Sequence, residues 1–374
     1  MLSPVSCDNF YKTDRLLVRK FILITYFFIS FFIQVSGQNL IAYYSGNARQ
    51  ISAYPVSKLS EIIYSFCQLR GNRLMVGNHA DSLTIQTLVG MKKRNTSLKI
   101  LLCLGGWGGC KTCSEVFSTE SGRTEFIESV VELINYFHTD GIDLDWEFPS
   151  MEAYPGHPFS KEDKQHLSQL IKDLRNRLGP SREISIVCAG FSPYLEGSLD
   201  LPSIAPYLSR INLMTYDLIG SHTHFSGHHS ALYSTAWQVG SADRAIRYLD
   251  SLKIPRNKIA IGVALYGRLY QLSENHDHGL NQPAQFEKFV TDKQIRVQYT
   301  ESAGYKTFWD PEAQAAYKYN DRNKKFISYD EKRSVVAKVN YVKEKGLDGI
   351  FFWELRLDNP HGGLVDVMAK QINP

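Results

Sequence analysis

The feature that most limits this chain's fold is a rhythm. Eight short, largely apolar runs recur along it, at 40–44, 61–66, 99–104, 141–146, 184–189, 211–216, 258–264 and 349–353. Each has the length of a strand rather than of a buried helix. Consecutive apolar positions are the mark of strands covered on both faces in a parallel sheet. Between most of them lie segments with helical spacing. In 122–138 the apolar residues are Phe126, Val130, Leu133, Ile134 and Phe137. In 160–178 they include Leu167, Leu170, Ile171 and Leu174, behind a loose capping pattern of Ser160 and Asp163. Segments 242–252 and 331–345 read the same way, the latter stopping at Gly346. This alternation predicts an α/β fold, a (β/α)8 TIM barrel. An open doubly wound sheet competes, but no G-x-G-x-x-G follows the first run. The rhythm lapses over 269–328, where alternation appears at 294–299 and 306–309. That stretch is expected to be a small α+β insertion between strands 7 and 8 of a barrel occupying 38–374.

Upstream, Arg15, Arg19 and Lys20 precede an apolar stretch at 21–35, followed by Ser36 and Gly37. Residues 1–37 are therefore expected to be a secretory signal peptide, making the protein secreted, extracellular or periplasmic, with no membrane attachment after cleavage. The alternative is an uncleaved anchor, against which the shortness of the stretch argues. With 42 basic and 38 acidic residues the formal charge is +4, and no long basic run accompanies it, so no nucleic acid partner is expected. Cys110 and Cys113 lack the second pair of a zinc ribbon, and a local bridge is expected there. Cys67, Cys103 and Cys188 sit in apolar runs and are read as small hydrophobes. Neither a metal nor another cofactor is expected, and the protein is expected to be a monomer.

The chemistry concentrates in Asp140-Gly141-Ile142-Asp143-Leu144-Asp145-Trp146-Glu147. Alternate residues of a strand share a face, so Asp143, Asp145 and Glu147 project together. Three neighbouring carboxyl groups cannot all ionise cheaply, so at least one keeps its proton at neutral pH, as a general acid must. A calcium loop would need oxygen ligands in a turn, not large apolar residues between the acids. Glu147 closes the fourth run and Pro149 follows. Barrel active sites lie at that end of the strands.

The segment resembles the D-G-x-D-x-D-x-E signature of family 18 glycoside hydrolases, the chitinase family. The likeness extends over most of the chain. Residues 99–107, ending Gly105-Gly106-Trp107, resemble the family's third-strand motif. Met214-Thr215-Tyr216-Asp217 resembles its M-x-Y-D, and Tyr266-Gly267-Arg268 its seventh-strand motif. Trp353 resembles the tryptophan that floors the cleft, and Tyr44 and Phe66 stand where the first two strands carry aromatics. The insertion resembles the extra module of longer members.

The resemblance implies hydrolysis of chitin or N-acetylglucosamine oligosaccharides with retention, assisted by the substrate's own acetamide. It makes Glu147 the acid, Asp145 the partner of the acetamide N–H, Asp143 the group sharing a proton with Asp145, Tyr216 the orienting donor and Asp217 a support for the same sugar. Tyr44, Phe66, Trp107, Met214, Tyr266 and Trp353 would line the cleft, and Arg268 would contact sugar or pair with an acid of the insertion. Cys103 stands where the family usually has a serine supporting the innermost aspartate. The cluster His222, His224, His228 and His229 reads as a structural or substrate-contacting rim loop, and Asn95-Thr96-Ser97 fits a glycosylation sequon. An endo-β-N-acetylglucosaminidase acting on N-glycans and a catalytically weak chitin-binding lectin remain alternatives.

Overall fold

The computed structural model describes residues 37–372. The signal-peptide expectation falls on residues 1–37, almost wholly outside that range. Among the described residues no helix is long and apolar enough to cross a membrane.

Eight parallel strands carry the fold: β1 (Asn39–Tyr44), β2 (Glu61–Arg70), β4 (Lys99–Gly105), β5 (Gly141–Asp145), β6 (Glu183–Ala189), β7 (Arg210–Met214), β8 (Ile259–Ala264) and β14 (Gly349–Trp353). They are hydrogen-bonded in the order β1-β14-β8-β7-β6-β5-β4-β2, and β1 also pairs with β2, so the sheet closes on itself. The fold is a (β/α)8 TIM barrel. Closure explains the unbroken apolar runs, since each strand is covered on both faces. Inward-facing Ile41, Tyr43, Ile63, Leu101 and Phe351 fill the barrel. Outward-facing Leu40, Ala42, Tyr44, Ile62, Ile100 and Phe352 pack with Phe126, Leu170, Ile246 and Val339 of the surrounding helices.

The helices follow the expected spacing with adjusted ends. Glu120–Phe137 starts two residues early, because Thr119 caps it by accepting from the Gly122 N–H at 3.0 Å. Asp163–Leu178 starts three residues late, because Asp163 turns back to accept the Ser160 N–H at 2.8 Å. Lys332–Lys345 ends where Gly346 takes φ +65°. Only short 3-10 turns follow β1, and β2 runs on past Phe66 to hairpin with β3 (Arg73–Met75). Cys110 and Cys113 are disulfide-bonded, and Cys67, Cys103 and Cys188 are buried free thiols.

Between β8 and the helix Lys332–Lys345 a second, antiparallel sheet forms in the order β10-β9-β13-β12-β11. Its strands are β9 (Tyr266–Leu272), β10 (Ala284–Thr291), β11 (Lys306–Asp310), β12 (Ala315–Asn320) and β13 (Lys325–Tyr329). It starts three residues before the expected 269, since Tyr266 and Arg268 belong to its first strand. The alternation at 294–299 is not a strand. Thr291 and Gln294 form a reciprocal capping box that nucleates the helix Asp292–Gln298. Helix residue Ile295 packs with Leu269, Val290 and Ile327, while Tyr270, Tyr317 and Phe326 form a separate cluster.

Candidate active site

Strand β5 places its acids as the alternation predicts. Asp143 lies inside the barrel, fully buried. Asp145 ends the strand with 5 % of its surface exposed, and Glu147 stands two residues beyond, half-buried at the mouth. Gly105 ends β4 and Gly106 follows it, with φ of +115° and +80°. A Cβ on the first would strike the Asp145 carbonyl, and one on the second the Phe66 ring. Glycine at both positions lets the β4 loop pass this close to the acids.

Asp143 is saturated with donors. Tyr43 Oη (2.9 Å) and the Cys103 thiol (3.1 Å) donate to Oδ2, and Ser185 Oγ (2.5 Å) and Asn212 Nδ2 (3.2 Å) to Oδ1. Cys103, Asp143 and Ser185 stand opposite one another across β4, β5 and β6, so register delivers two of these contacts. Burial raises the Asp143 pKa, and these hydrogen bonds oppose it. Asp145 differs. Burial, then the charges of Glu147 and Asp143, hold its pKa well above the ordinary range. Its Oδ1 is buried without a hydrogen-bond partner. Burial, then the charge of Asp217, pushes Glu147 up to about 8. Glu147 therefore enters neutral solution holding its proton.

Tyr216 and Asp217 follow β7. Tyr216 packs edge-on against Tyr266 and Phe351 at ring distances of 6.0 and 5.9 Å. Gly262 makes room for it, since a Cβ there would meet its ring at 2.6 Å. Burial, then the charges of Asp145 and Asp217, raises the Tyr216 pKa and keeps its hydroxyl a donor. Asp217 accepts from Arg268 Nε at 2.7 Å and contacts His229 Nδ1 at 3.4 Å. Burial would raise its pKa, but these two partners win and hold it well below the carboxylate range. The acidic partner of Arg268 is thus Asp217, not an acid of the insertion. The guanidinium also lies 4.7 Å from the Phe289 ring centre, and its Nη1 is buried without a partner.

The aromatic residues divide. Phe66 stacks on Trp353 at 5.6 Å and 22°, and Trp353 leans on Tyr43 at 5.9 Å, at the end of the barrel that carries the acids. Met214 ends β7, partly buried. Tyr266 meets Phe289 at 5.6 Å. Trp107, 59 % exposed, stands on the loop after β4 with its edge toward Tyr154. Tyr44 does not join them. It is fully buried in the layer outside the barrel, with its hydroxyl bonded to the Asn47 carbonyl at 2.6 Å. Strand parity turns its neighbour Tyr43 inward instead. Tyr43, Ser185, Asn212 and Phe289 were not singled out from sequence. The signal was available for two of them, since Ser185 and Asn212 are polar interruptions of apolar runs.

His222 and His224 are exposed, whereas His228 and His229 are buried. His228 Nε2 meets Asp310 of β11 at 2.9 Å, and the His229 N–H donates to Ser328 Oγ of β13 at 2.8 Å, so the loop after β7 is tied to the second sheet. Ser230 joins Asp330, which the buried Lys338 pairs at 2.6 Å and which accepts the Ala264 N–H at 3.1 Å. This knot fixes the chain just beyond β7 and β8.

As a whole the arrangement offers a protonated acid at the mouth, an acceptor with a free lone pair beside it, a tyrosine donor and an aromatic floor. Such a set suits acid-catalysed cleavage of a ligand that brings its own N–H or O–H donor. The family model described as glycosyl hydrolases family 18 matches residues 39–358. The chain is 31% identical over 298 residues to "Chitinase A1" of Niallia circulans, covering 73% of this chain and 42% of that one. It is 29% identical over 321 residues to "Chitotriosidase-1" of Mus musculus, covering 81% and 68%. A solved family 18 N-acetylglucosaminidase from Paenibacillus barengoltzii superposes with a TM-score of 0.82 at 30% identity, over 89% of this chain and 99% of that one. A match through 39–358, over the closed barrel and its acids, makes this chain a member of glycosyl hydrolases family 18.

Proposed function

We propose that the chain is a chitinase, hydrolysing β-1,4-linked N-acetylglucosamine polymers with retention and with help from the substrate's acetamide. The observation that carries the reading is the buried, unpartnered Oδ1 of Asp145 beside a protonated Glu147. A buried acceptor left unmade costs about 1–3 kcal/mol, and an acetamide N–H would satisfy it. In the proposed reaction Glu147 gives its proton to the glycosidic oxygen as the C1–O bond breaks. The acetamide oxygen, oriented by the Tyr216 hydroxyl, closes on C1 to give an oxazolinium ion. Asp145 accepts the N–H at Oδ1, a hydrogen bond that strengthens as positive charge develops on the acetamide. Glu147, now a carboxylate, takes a proton from water as that water opens the ring on the same face. Phe66 and Trp353 would stack beneath the reacting sugar, and Trp107 would meet one further along.

The test is a matched pair of oligosaccharides, one of N-acetylglucosamine and one of glucose, of equal length. Only the first should turn over, its new reducing end first released as the β anomer. Equal turnover of both would remove the reading. The likeness to the Paenibacillus barengoltzii enzyme favours a second reading, N-acetylglucosaminidase action, and a product profile separates them: monosaccharide alone supports the second, disaccharide the first. Export is proposed on the apolar stretch at 21–35, and N-terminal sequencing of secreted material tests it.

A further inference from the structure

Beneath Asp143 the barrel holds a charged pair that the proposed chemistry does not use. Arg210 on β7 and Glu61 on β2 are hydrogen-bonded to each other across the barrel interior, exposed by only 5 % and 2 %. Arg210 also donates from Nε to Asn212 Oδ1 at 2.9 Å. From Asn212, Nδ2 reaches both Tyr43 Oη (2.9 Å) and Asp143 Oδ1 (3.2 Å), and Tyr43 Oη lies 2.9 Å from Asp143 Oδ2.

The direction of every bond in this chain follows from its first member. A guanidinium can only donate. The amide atom facing Arg210 must therefore be the oxygen, which turns the NH2 of Asn212 toward Tyr43 and Asp143. Tyr43 Oη receives that N–H and has its own proton free for Asp143 Oδ2. Both oxygens of Asp143 are then acceptors. Nothing in this chain of bonds accepts a proton from Asp143, so of the two neighbouring acids Asp145 is the one left to hold a proton.

We propose that Arg210, held by Glu61, is a positioning residue: it fixes the Asn212 amide so that Asp143 stays a carboxylate and Asp145 carries the proton of the pair. This rests on the chitinase reading and adds to it a device at the barrel floor, two layers below the reacting sugar. The charged and titratable groups facing Asp143 are Tyr43 on β1, Glu61 on β2, Cys103 on β4, Asp145 on β5, Arg210 on β7 and Tyr216 just after it. Of these Arg210 alone is a fixed cation, and its charge lowers the Asp143 pKa.

The experiment is the pH profile of kcat/KM on N-acetylglucosamine oligosaccharides. Its acid limb reports a further proton entering the Asp143–Asp145 pair, and its alkaline limb reports loss of the Glu147 proton. In the double variant Glu61→Gln/Arg210→Met the hydrogen-bonded pair goes together, and Asp348, 3.8 Å from the guanidinium, keeps its hydrogen bond from Asn39. The freed amide can then turn its oxygen to Asp143, which gains a partner for a proton. The acid limb should rise by about one pH unit, with the alkaline limb and KM unchanged. Asn212→Asp, nearly isosteric, keeps the acceptor for Arg210 but has no N–H for Asp143, and should raise the limb at least as far. A purely structural role would lower activity at every pH and leave both limbs in place. If the double variant folds and its acid limb stays put, the proposal fails. If it does not fold, an unmoved limb in Asn212→Asp has the same force. Loss of the chitinase reading is distinguishable, because the unaltered enzyme would then leave these oligosaccharides intact.

Discussion

Asp143 and Asp145 are two residues apart on one strand, project from the same face and are both buried, yet the protein treats them in opposite ways. Asp143 has four donors around its two oxygens. Asp145 has an oxygen with none. Interiors normally satisfy buried polar groups, and the lower level of this barrel does so completely around Asp143. One layer up, completion stops. The difference separates scaffold from site: a carboxyl group finished by the protein holds position, and one left unfinished can take a donor from outside. Glu147, half-buried above them, meets solvent and ligand first.

That contrast can be broken by substitution. The largest effect is expected at the mouth. Glu147→Gln should lower kcat by roughly 10²–10⁴-fold, the range for a lost general acid, while chito-oligosaccharide still binds in a calorimetric titration. A variant that kept substantial turnover would place the acid elsewhere. The next pair of variants tests the two aspartates directly. Asp145→Ala should lower kcat by about 10²–10³-fold with little change in denaturant midpoint, because it deletes an acceptor that nothing in the protein uses. Asp143→Ala should do the reverse in stability. It strands several buried donors at about 1–3 kcal/mol each, so its midpoint should fall well below that of Asp145→Ala. Equal losses of stability would erase the distinction.

A smaller effect lies in the pH dependence of stability. The pKa of Glu147 is raised from 4.5 to about 8 in the folded protein. Between those values the folded state holds a proton that the unfolded state has released, so this group's contribution falls as pH rises, and it is fully lost above the folded value. Glu147→Gln removes the penalty. The difference in Tm between Glu147→Gln and the unaltered protein should therefore grow in the variant's favour from pH 5 to pH 8. A constant difference would mean that Glu147 is not held protonated.

Much of this was legible in the sequence, for a physical reason. A parallel barrel strand is buried on both faces, so it writes itself as an apolar run, and acids breaking such a run at alternate positions have a function to perform. Helix ends were less legible because capping is a contest among neighbouring Ser, Thr and Asp side chains. Segment 294–299 alternates like a strand, yet one capping box at Thr291 and Gln294 turned it into a helix. Tyr44 was misplaced for a simpler reason: adjacent Tyr43 and Tyr44 look alike in sequence, and parity alone decides which faces the barrel. The network below Asp143 was hidden because its members lie on different strands, and only closure of the sheet brings Glu61 within reach of Arg210. The partner of Arg268 was obscured in the same way, since Asp217 and Arg268 are joined by the packing of the second sheet.

The finest test of the contrast is a single atom. Cys103 gives Asp143 the weakest of its four bonds, a thiol at 3.1 Å. Cys103→Ser replaces it with a stronger donor at nearly the same volume, inside a cluster that also holds Leu101 and Ile63. A firmer bond to the carboxylate lowers the Asp143 pKa, so the acid limb of kcat/KM should move down by a few tenths of a pH unit, opposite in sign to the shift expected for Asn212→Asp. The alkaline limb should not move, because Glu147 answers to burial and Asp217 and not to this thiol. Two substitutions on opposite sides of one carboxylate, one strengthening and one removing a donor, would then shift the same limb in opposite directions. If both shifted it the same way, donors around Asp143 would not be what sets the protonation of the pair.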